Sequence, residues 1–444
     1  MLASSWKSRI NNYLPWLCCW ASIILIASTP LPDQFQSIGS TILTILGMFL
    51  LITKQPPERP KETKELGKLL LCFLIPAIAS FTHSVAVTST LKFITLLAWS
   101  FFIGIALLCS FGNLKTRDWQ RKAISTIFAI WVAASCIYAA ISITIHGQFV
   151  SINPALSIFT SSLFGRILTM LMPVALWKSV KQSSPAGFAL LLASGVASML
   201  TGQRNNVLCY VIGACLLVSQ IPRKAAIRWL AACMATLMLV YPFSGELNNR
   251  TARMLATVQS QPGIVLSSEG TNSAHPETNK KEEEKTVVGK LNELSSERGY
   301  IYEAALKMTA NSPITGVGAG TFRKAFEMFA TPTGRDAFDT PPGPHNIYVS
   351  VIAQTGFIGI AGLLIAISRL IQWHRTSRNE AWRLEEAAPY SASLFVMLFP
   401  LITQDDLYSS FWWKMFLYMA CGLLGALLLD KSKINSTDEQ ILFN

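Results

Sequence analysis

Long apolar runs separated by short polar ones make up most of this chain. A helix needs about 17–25 apolar residues to cross a bilayer. Twelve runs near that length, some shorter, can be drawn: Leu14–Ser28, Ser37–Thr53, Leu66–Phe81, Leu91–Phe111, Ala123–Ile145, Leu163–Val180, Ala186–Thr201, Asn205–Ile221, Ile227–Phe243, Ile347–Leu370, Pro389–Thr403 and Phe411–Leu429. The pattern predicts an all-α polytopic membrane protein of about twelve transmembrane helices. The seventh and eighth runs lie close enough to be misread as one broken segment.

One polar interruption is far longer than the rest. Residues 244–346 separate the ninth and tenth runs, which divides the chain into 1–243, 244–346, 347–430 and a tail, 431–444. Within the long segment, 259–287 is polar and contains Lys280-Lys281-Glu282-Glu283-Glu284-Lys285, the signature of a solvated or mobile insert. Further on, Val288, Leu291, Leu294, Ile301, Ala304, Ala305 and Met308 recur at helical spacing. The region 289–329 is therefore expected to be helical, with an amphipathic helix from about Gly289 to Ala310 and a second from Thr321 to Phe329. Pro313 and Gly316-Val317-Gly318-Ala319-Gly320 mark the turn between them. Pro332, Pro341, Pro342 and Pro344 predict an extended approach to His345.

Composition agrees with the pattern. The chain is 51% hydrophobic and 14% charged, against about 25% charged in soluble domains. The net charge of +12 is concentrated in alternate short loops. If the N-terminus is cytoplasmic, those loops all face inward, and the five short outer loops hold one basic residue, Arg204. Both termini are then cytoplasmic and 244–346 lies on the outer face. The long segment itself is balanced, with eleven basic and twelve acidic residues. The positive charge thus reads as topology, which removes the case for a nucleic-acid partner. Ala27-Ser28-Thr29-Pro30 is a poor cleavage site, so the first run reads as a helix and not as a signal peptide. All nine cysteines fall within the apolar runs, which excludes a disulfide framework in the outer segment.

Few polar groups lie where chemistry at the outer face would need them. His345 stands at the mouth of the tenth run and is followed by Asn346; imidazole is the side chain suited to moving protons near neutral pH. A structural alternative has the histidine bonded to backbone and Asn346 as the helix cap. Arg166 lies near the outer end of the sixth run, Arg204 in the tight loop between the seventh and eighth, and Arg298 on the outer amphipathic helix. Arginines gathered at one cavity would form a fork-shaped site for phosphate oxygens. Alternatively Arg166 and Arg204 anchor the interface or pair with Asp405 or Asp406, and Arg298 pairs on a solvated face. Lys92, near the outer end of the fourth run, completes the set of supporting candidates. No histidine pair has zinc-binding spacing, so no metal is expected. Gly316–Gly320 follows no strand, so a dinucleotide motif is unsupported, and no ATP motif occurs. Gly356 and Gly359 read as small residues that let helices approach closely.

Three pieces together resemble the O-antigen ligase and polymerase superfamily of envelope glycan enzymes. They are Thr201-Gly202-Gln203-Arg204; Arg298 followed by Tyr302, Ala305, Pro313, Gly316, Gly318 and Phe322; and His345-Asn346, nine residues, then Gly356-Phe357-Ile358-Gly359. Tyr302 departs from the tryptophan more usual in the family. The resemblance implies a GT-C-type membrane glycosyltransferase of the Gram-negative inner membrane, working at the periplasmic face. It would move a glycan from undecaprenyl diphosphate to a sugar hydroxyl of lipid A–core, with inversion and without metal, cofactor or nucleotide. His345 would be the base, and Arg204, Arg298 and Arg166 the diphosphate binders, with Asn346, Lys92, Asp405 and Asp406 in support. The nearest alternative is a polymerase acting on the same carrier. A polytopic transporter is a more distant one, since no paired broken spans mark two corresponding halves.

Overall fold

The computed structural model describes residues 2–29, 33–53, 60–146, 162–201, 203–244, 298–400 and 406–429. The expected insert 259–287, the start of the helix placed at Gly289, Asp405 and the tail 431–444 lie outside them. Among the described residues nine α-helices precede residue 244: α1 (Leu2–Ala27), α2 (Asp33–Ile52), α3 (Pro60–Ser80), α4 (Val87–Phe111), α5 (Leu114–His146), α6 (Ser162–Lys181), α7 (Pro185–Leu200), α8 (Arg204–Val218) and α9 (Arg223–Val240). Then come α10 (Arg298–Asn311), α11 (Phe322–Phe329) and α12 (Pro332–Asp336), followed by α13 (Ile347–Ser377), α14 (Ala381–Leu398) and α15 (Ser410–Leu428). No strand occurs among the described residues.

Among the described residues seven helices, α3 to α6, α9, α13 and α15, are long and apolar enough to cross a membrane. The apolar stretches Tyr13–Ala27, Ser37–Ile52, Pro185–Leu200 and Arg204–Val218 are shorter. The molecule is a multi-pass helical membrane protein. It turns Ile75 and Ile78 of α3 and Ile130, Ile137 and Ile141 of α5 outward, which suits a hydrocarbon solvent and would be costly in water. The seventh and eighth runs are two separate helices.

Two predicted boundaries move for one reason. α5 starts nine residues before Ala123, and α14 starts eight before Pro389, which sits inside it. Both extensions are polar, and each satisfies the other. Arg117 is fully buried and donates from Nε to Glu386 Oε2 at 2.8 Å and from Nη2 to the Glu386 carbonyl at 2.7 Å. Its Nη1 reaches the Gly422 carbonyl of α15 at 3.1 Å, and Arg121 closes on the same Glu386 oxygen at 2.5 Å. A buried charge is tolerated only when paired and hydrogen-bonded, so these turns are helical because they meet.

α13 carries the main departure from expectation. Gly356 does not serve as a packing residue in a continuous helix. It sits at φ 61°, ψ −158° and interrupts α13. The break frees two helical carbonyls and two N–H groups, and the segment after α10 takes all four. Phe357 N donates to Pro313 O at 2.9 Å and Ile358 N to Ile314 O at 3.2 Å. In return Val317 N donates to Ala353 O at 3.1 Å and Gly318 N to Gln354 O at 3.0 Å. Freed backbone groups at membrane depth must find such partners. Close approach to α3 is instead made at Gly362, where a Cβ would meet the Cys72 carbonyl.

α10 and α11 have their own small core of Ile301, Ala304, Ala305 and Met308 on α10 with Phe322, Ala325 and Phe326 on α11, joined to α13 through Ala353. This is the apolar face that the helical spacing predicts. Pro332 is not part of an extended strap: it opens α12, with the Thr331 side chain accepting from Gly334 N at 3.2 Å. Proline suits the first helical turn because its missing N–H would have no partner there.

Candidate active site

His345 lies two residues before α13 with φ 54°, a left-handed conformation uncommon for a non-glycine residue. The next residue fixes that turn. Asn346 is the N-cap of α13, its Oδ1 accepting from Tyr348 N at 2.9 Å and Val349 N at 3.2 Å. Its Nδ2 donates to the Pro400 carbonyl at 2.9 Å, tying the turn to the end of α14. The Tyr348 hydroxyl adds a bond to Leu398 O at 2.7 Å. Asn346 therefore caps the helix, and His345 is left to project beyond it.

Burial first, and then the positive charges of Arg298, Arg166 and Arg323, push the His345 imidazole down to about 4. Near neutral pH the ring is uncharged and keeps a nitrogen lone pair for a proton. The fold thus places Arg298, Arg166 and Arg323 where their charges act on His345. Arg323 is exposed on α11 beside buried Phe322 and Phe326. Its position one step from the apolar face reads in sequence as a solvated surface, and no sequence signal separates it from Lys324.

Arg166 reaches the site from inside the bundle. It is 1% exposed, donates from Nε to Asn206 Oδ1 at 3.3 Å, and lies 5.8 Å from the centre of the Trp412 ring. Asn206 is itself held by Thr201 Oγ1 at 2.9 Å. Arg204 is the first residue of α8, two before Asn206, and its side chain is exposed. It is not among the charges acting on His345. Lys92 is exposed on α4 and is also absent from that set.

Asp406 sits in a network of hydrogen bonds. Its Oδ1 accepts from Ser350 Oγ at 2.5 Å, Tyr408 N at 3.0 Å and Gln354 Nε2 at 3.3 Å. Burial pushes its carboxyl up, against the hydrogen bonds and the Arg323 charge. Gln354 continues the chain of bonds, accepting at Oε1 from Thr321 N at 3.1 Å. Asp406 so links the first half of α13 to the residue that precedes α11 and Arg323. Asp406→Asn, which keeps the acceptor oxygen, should melt close to the wild type. Asp406→Ala should lose about 1–3 kcal/mol by orphaning buried donors, measured by thermal unfolding in detergent; equal melting of the two variants would refute this role.

The arrangement can bind a multiply charged anion at its arginines and take a proton at His345. Among the described residues no three histidine, cysteine or acidic side chains gather as metal ligands. Residues 188–364 match the family model described as O-antigen ligase. That segment contains Arg204, Arg298, Arg323, His345, Gly356 and Gly359, and leaves out Lys92, Arg166 and Asp406. A search of curated proteins finds no match.

Proposed function

We propose, from the match of residues 188–364 to the O-antigen ligase family model, that the chain transfers a glycan from undecaprenyl diphosphate to a sugar hydroxyl of lipid A–core. The reading is supported by the place of His345 at the start of α13, where burial and the charges of Arg298, Arg166 and Arg323 hold its imidazole below the usual histidine range. The acceptor hydroxyl gives its proton to His345 as its oxygen attacks the anomeric carbon. The bond from that carbon to the diphosphate oxygen breaks, and the electron pair leaves with the lipid diphosphate. Arg298, Arg166 and Arg323 offset the charge that develops on the leaving group. In-line displacement inverts the anomeric centre. The donor already stores the energy, so no nucleotide takes part.

The distribution of lysine and arginine in the short loops supports a His345 end facing the periplasm of a Gram-negative inner membrane, with both termini cytoplasmic. Arg204, at the edge of the site, would meet the diphosphate or the first sugar of the donor.

Reconstitution with carrier-linked glycan tests the reading, offering lipid A–core or a second carrier-linked glycan as acceptor, with and without EDTA. Product on lipid A–core is expected, unchanged by EDTA. Product only on the second carrier would make the protein a polymerase. In the same assay Arg298→Ala and Arg323→Ala should each raise the donor KM by about tenfold to a hundredfold, the cost of one charge-assisted hydrogen bond. Unchanged donor kinetics in both would remove the arginines from the mechanism.

A further inference from the structure

An arginine side chain has many rotamers, so a guanidinium that must meet a phosphate gains from being held before the ligand arrives. Arg166 is 1% exposed, and neighbours from α8 and α15 hold it. Its Nε donates to Asn206 Oδ1 on α8 at 3.3 Å, and its Cζ lies 5.8 Å from the centre of the Trp412 ring on α15. The bond at Nε constrains the plane in which the two terminal nitrogens lie, and the ring adds a cation–π contact.

The protons fix which way the Asn206 amide points. Thr201 Oγ1 donates its single proton to the Ser198 carbonyl at 2.7 Å. Toward Asn206 it can therefore act as an acceptor and not as a donor, and Asn206 Nδ2 lies 2.9 Å from it. The amide must turn its NH2 to Thr201, which leaves its carbonyl oxygen for Arg166. Asn206 is fully buried and Thr201 nearly so, so water does not compete for these bonds. α6 makes room for them at Gly165, the residue before Arg166. A Cβ there would run into Asn206 Nδ2 and lie 2.7 Å from Thr201 Cγ2. The sequence piece Thr201-Gly202-Gln203-Arg204 has a second use here, through its threonine.

The chemistry of the partner matters as much as its place. An amide accepts from a guanidinium without offsetting its charge, whereas a carboxylate in the same position would form an ion pair. The Arg166 charge does act on His345.

We propose that Asn206, held by Thr201, is a positioning residue that aims the Arg166 guanidinium at the donor diphosphate without offsetting its charge; the proposal rests on the donor reading above. Asn206 acts through Arg166 and not on the reacting atoms.

The experiment measures glycan transfer from the carrier diphosphate by the full-length protein across pH. It uses wild type, Asn206→Asp, Asn206→Leu and Thr201→Val, each with Arg166 intact and with Arg166→Gln. Asn206→Asp keeps the acceptor oxygen and the size but adds a charge that offsets the guanidinium. Its donor KM should rise about tenfold, with the acceptor KM unchanged. The acid limb of kcat/KM should move to higher pH, because His345 loses one repelling charge while those of Arg298 and Arg323 stay. Asn206→Leu, which offers no acceptor, should raise the donor KM by a similar factor, and Thr201→Val by less. In the Arg166→Gln protein none of the three should add a further loss, since no guanidinium is left to aim. Thr201→Val changes little in volume and carries the test if a change at 206 fails to fold. Asn206→Asp with a wild-type donor KM and an unmoved limb would overturn the proposal. Equal losses with and without Arg166 would overturn it too, making Asn206 a packing residue. Wild-type donor kinetics in Arg166→Gln would overturn it and leave the reaction intact. Absence of any transfer by wild type would instead sink the reaction itself, and this proposal with it.

Discussion

His345→Ala should lower turnover about a thousandfold, within the range of general-base effects, while leaving the donor KM close to wild type. On the proposed mechanism the imidazole would act on the acceptor hydroxyl and not on the diphosphate, so its loss would belong in the chemical step. The pH profile gives a second and independent readout. A base works only when unprotonated, so the rate falls as pH drops through its pKa. In the free protein that pKa is about 4, so kcat/KM should hold level down to about pH 5. A bound diphosphate offsets the charges of Arg298, Arg166 and Arg323, which favours the imidazolium. The acid limb of kcat should therefore lie at higher pH than that of kcat/KM. Arg298→Ala removes one repelling charge and should move the kcat/KM limb upward by the same logic. A limb that moves downward in Arg298→Ala, or an alanine variant at 345 with wild-type turnover, would refute the assignment.

Gly356→Ala should be strongly destabilising for so small a substitution. Its backbone sits at φ 61°, ψ −158°, a region that essentially glycine alone occupies and that costs other residues about 1–3 kcal/mol. A Cβ there would also run into the Ile314 carbonyl oxygen and lie 2.6 Å from the Pro313 carbonyl oxygen. Both are backbone atoms that are already accepting bonds from Phe357 and Ile358, so they cannot retreat without breaking what they hold. The total loss should exceed about 3 kcal/mol, seen as a fall in melting temperature with loss of transfer. Gly359→Ala makes the control. Its Cβ would meet the Thr355 side chain, but its backbone is not left-handed, so the loss should be smaller. If Gly356→Ala melts no lower than Gly359→Ala, the break in α13 is not a requirement of the fold.

Much of this architecture is legible in the sequence where the cause is local. The apolar spacing of Ile301, Ala304, Ala305 and Met308 predicts a helix face, and those residues are buried together. Asn346 before an apolar run reads as a cap, and its side chain accepts two backbone bonds. Arg298 and Arg166 stand out as cations at helix ends, and their charges act on His345. What the sequence hides is set by partners far along the chain. The break at Gly356 looks like ordinary helix packing because the bonds that replace the helical ones come from residues 313–318. Arg323 looks solvated because the groups it faces, His345 and Asp406, belong to other elements. The polar first turns of α5 look like loop because Glu386 is out of view. The family resemblance, carried by Arg204, Arg298 and the His345 to Gly359 spacing, falls within the matched segment.

The knot between Arg117 and Glu386 also sets an order of events during synthesis. The two residues are 269 positions apart. At typical translation rates the carboxylate emerges tens of seconds after the arginine. Through that interval Arg117 has the Phe111 carbonyl but no carboxylate, so the first turns of α5 should stay at the membrane interface, where their charges remain hydrated. The seating of α5 is thus one of the last steps of assembly, and a chain truncated before α14 would leave it unseated.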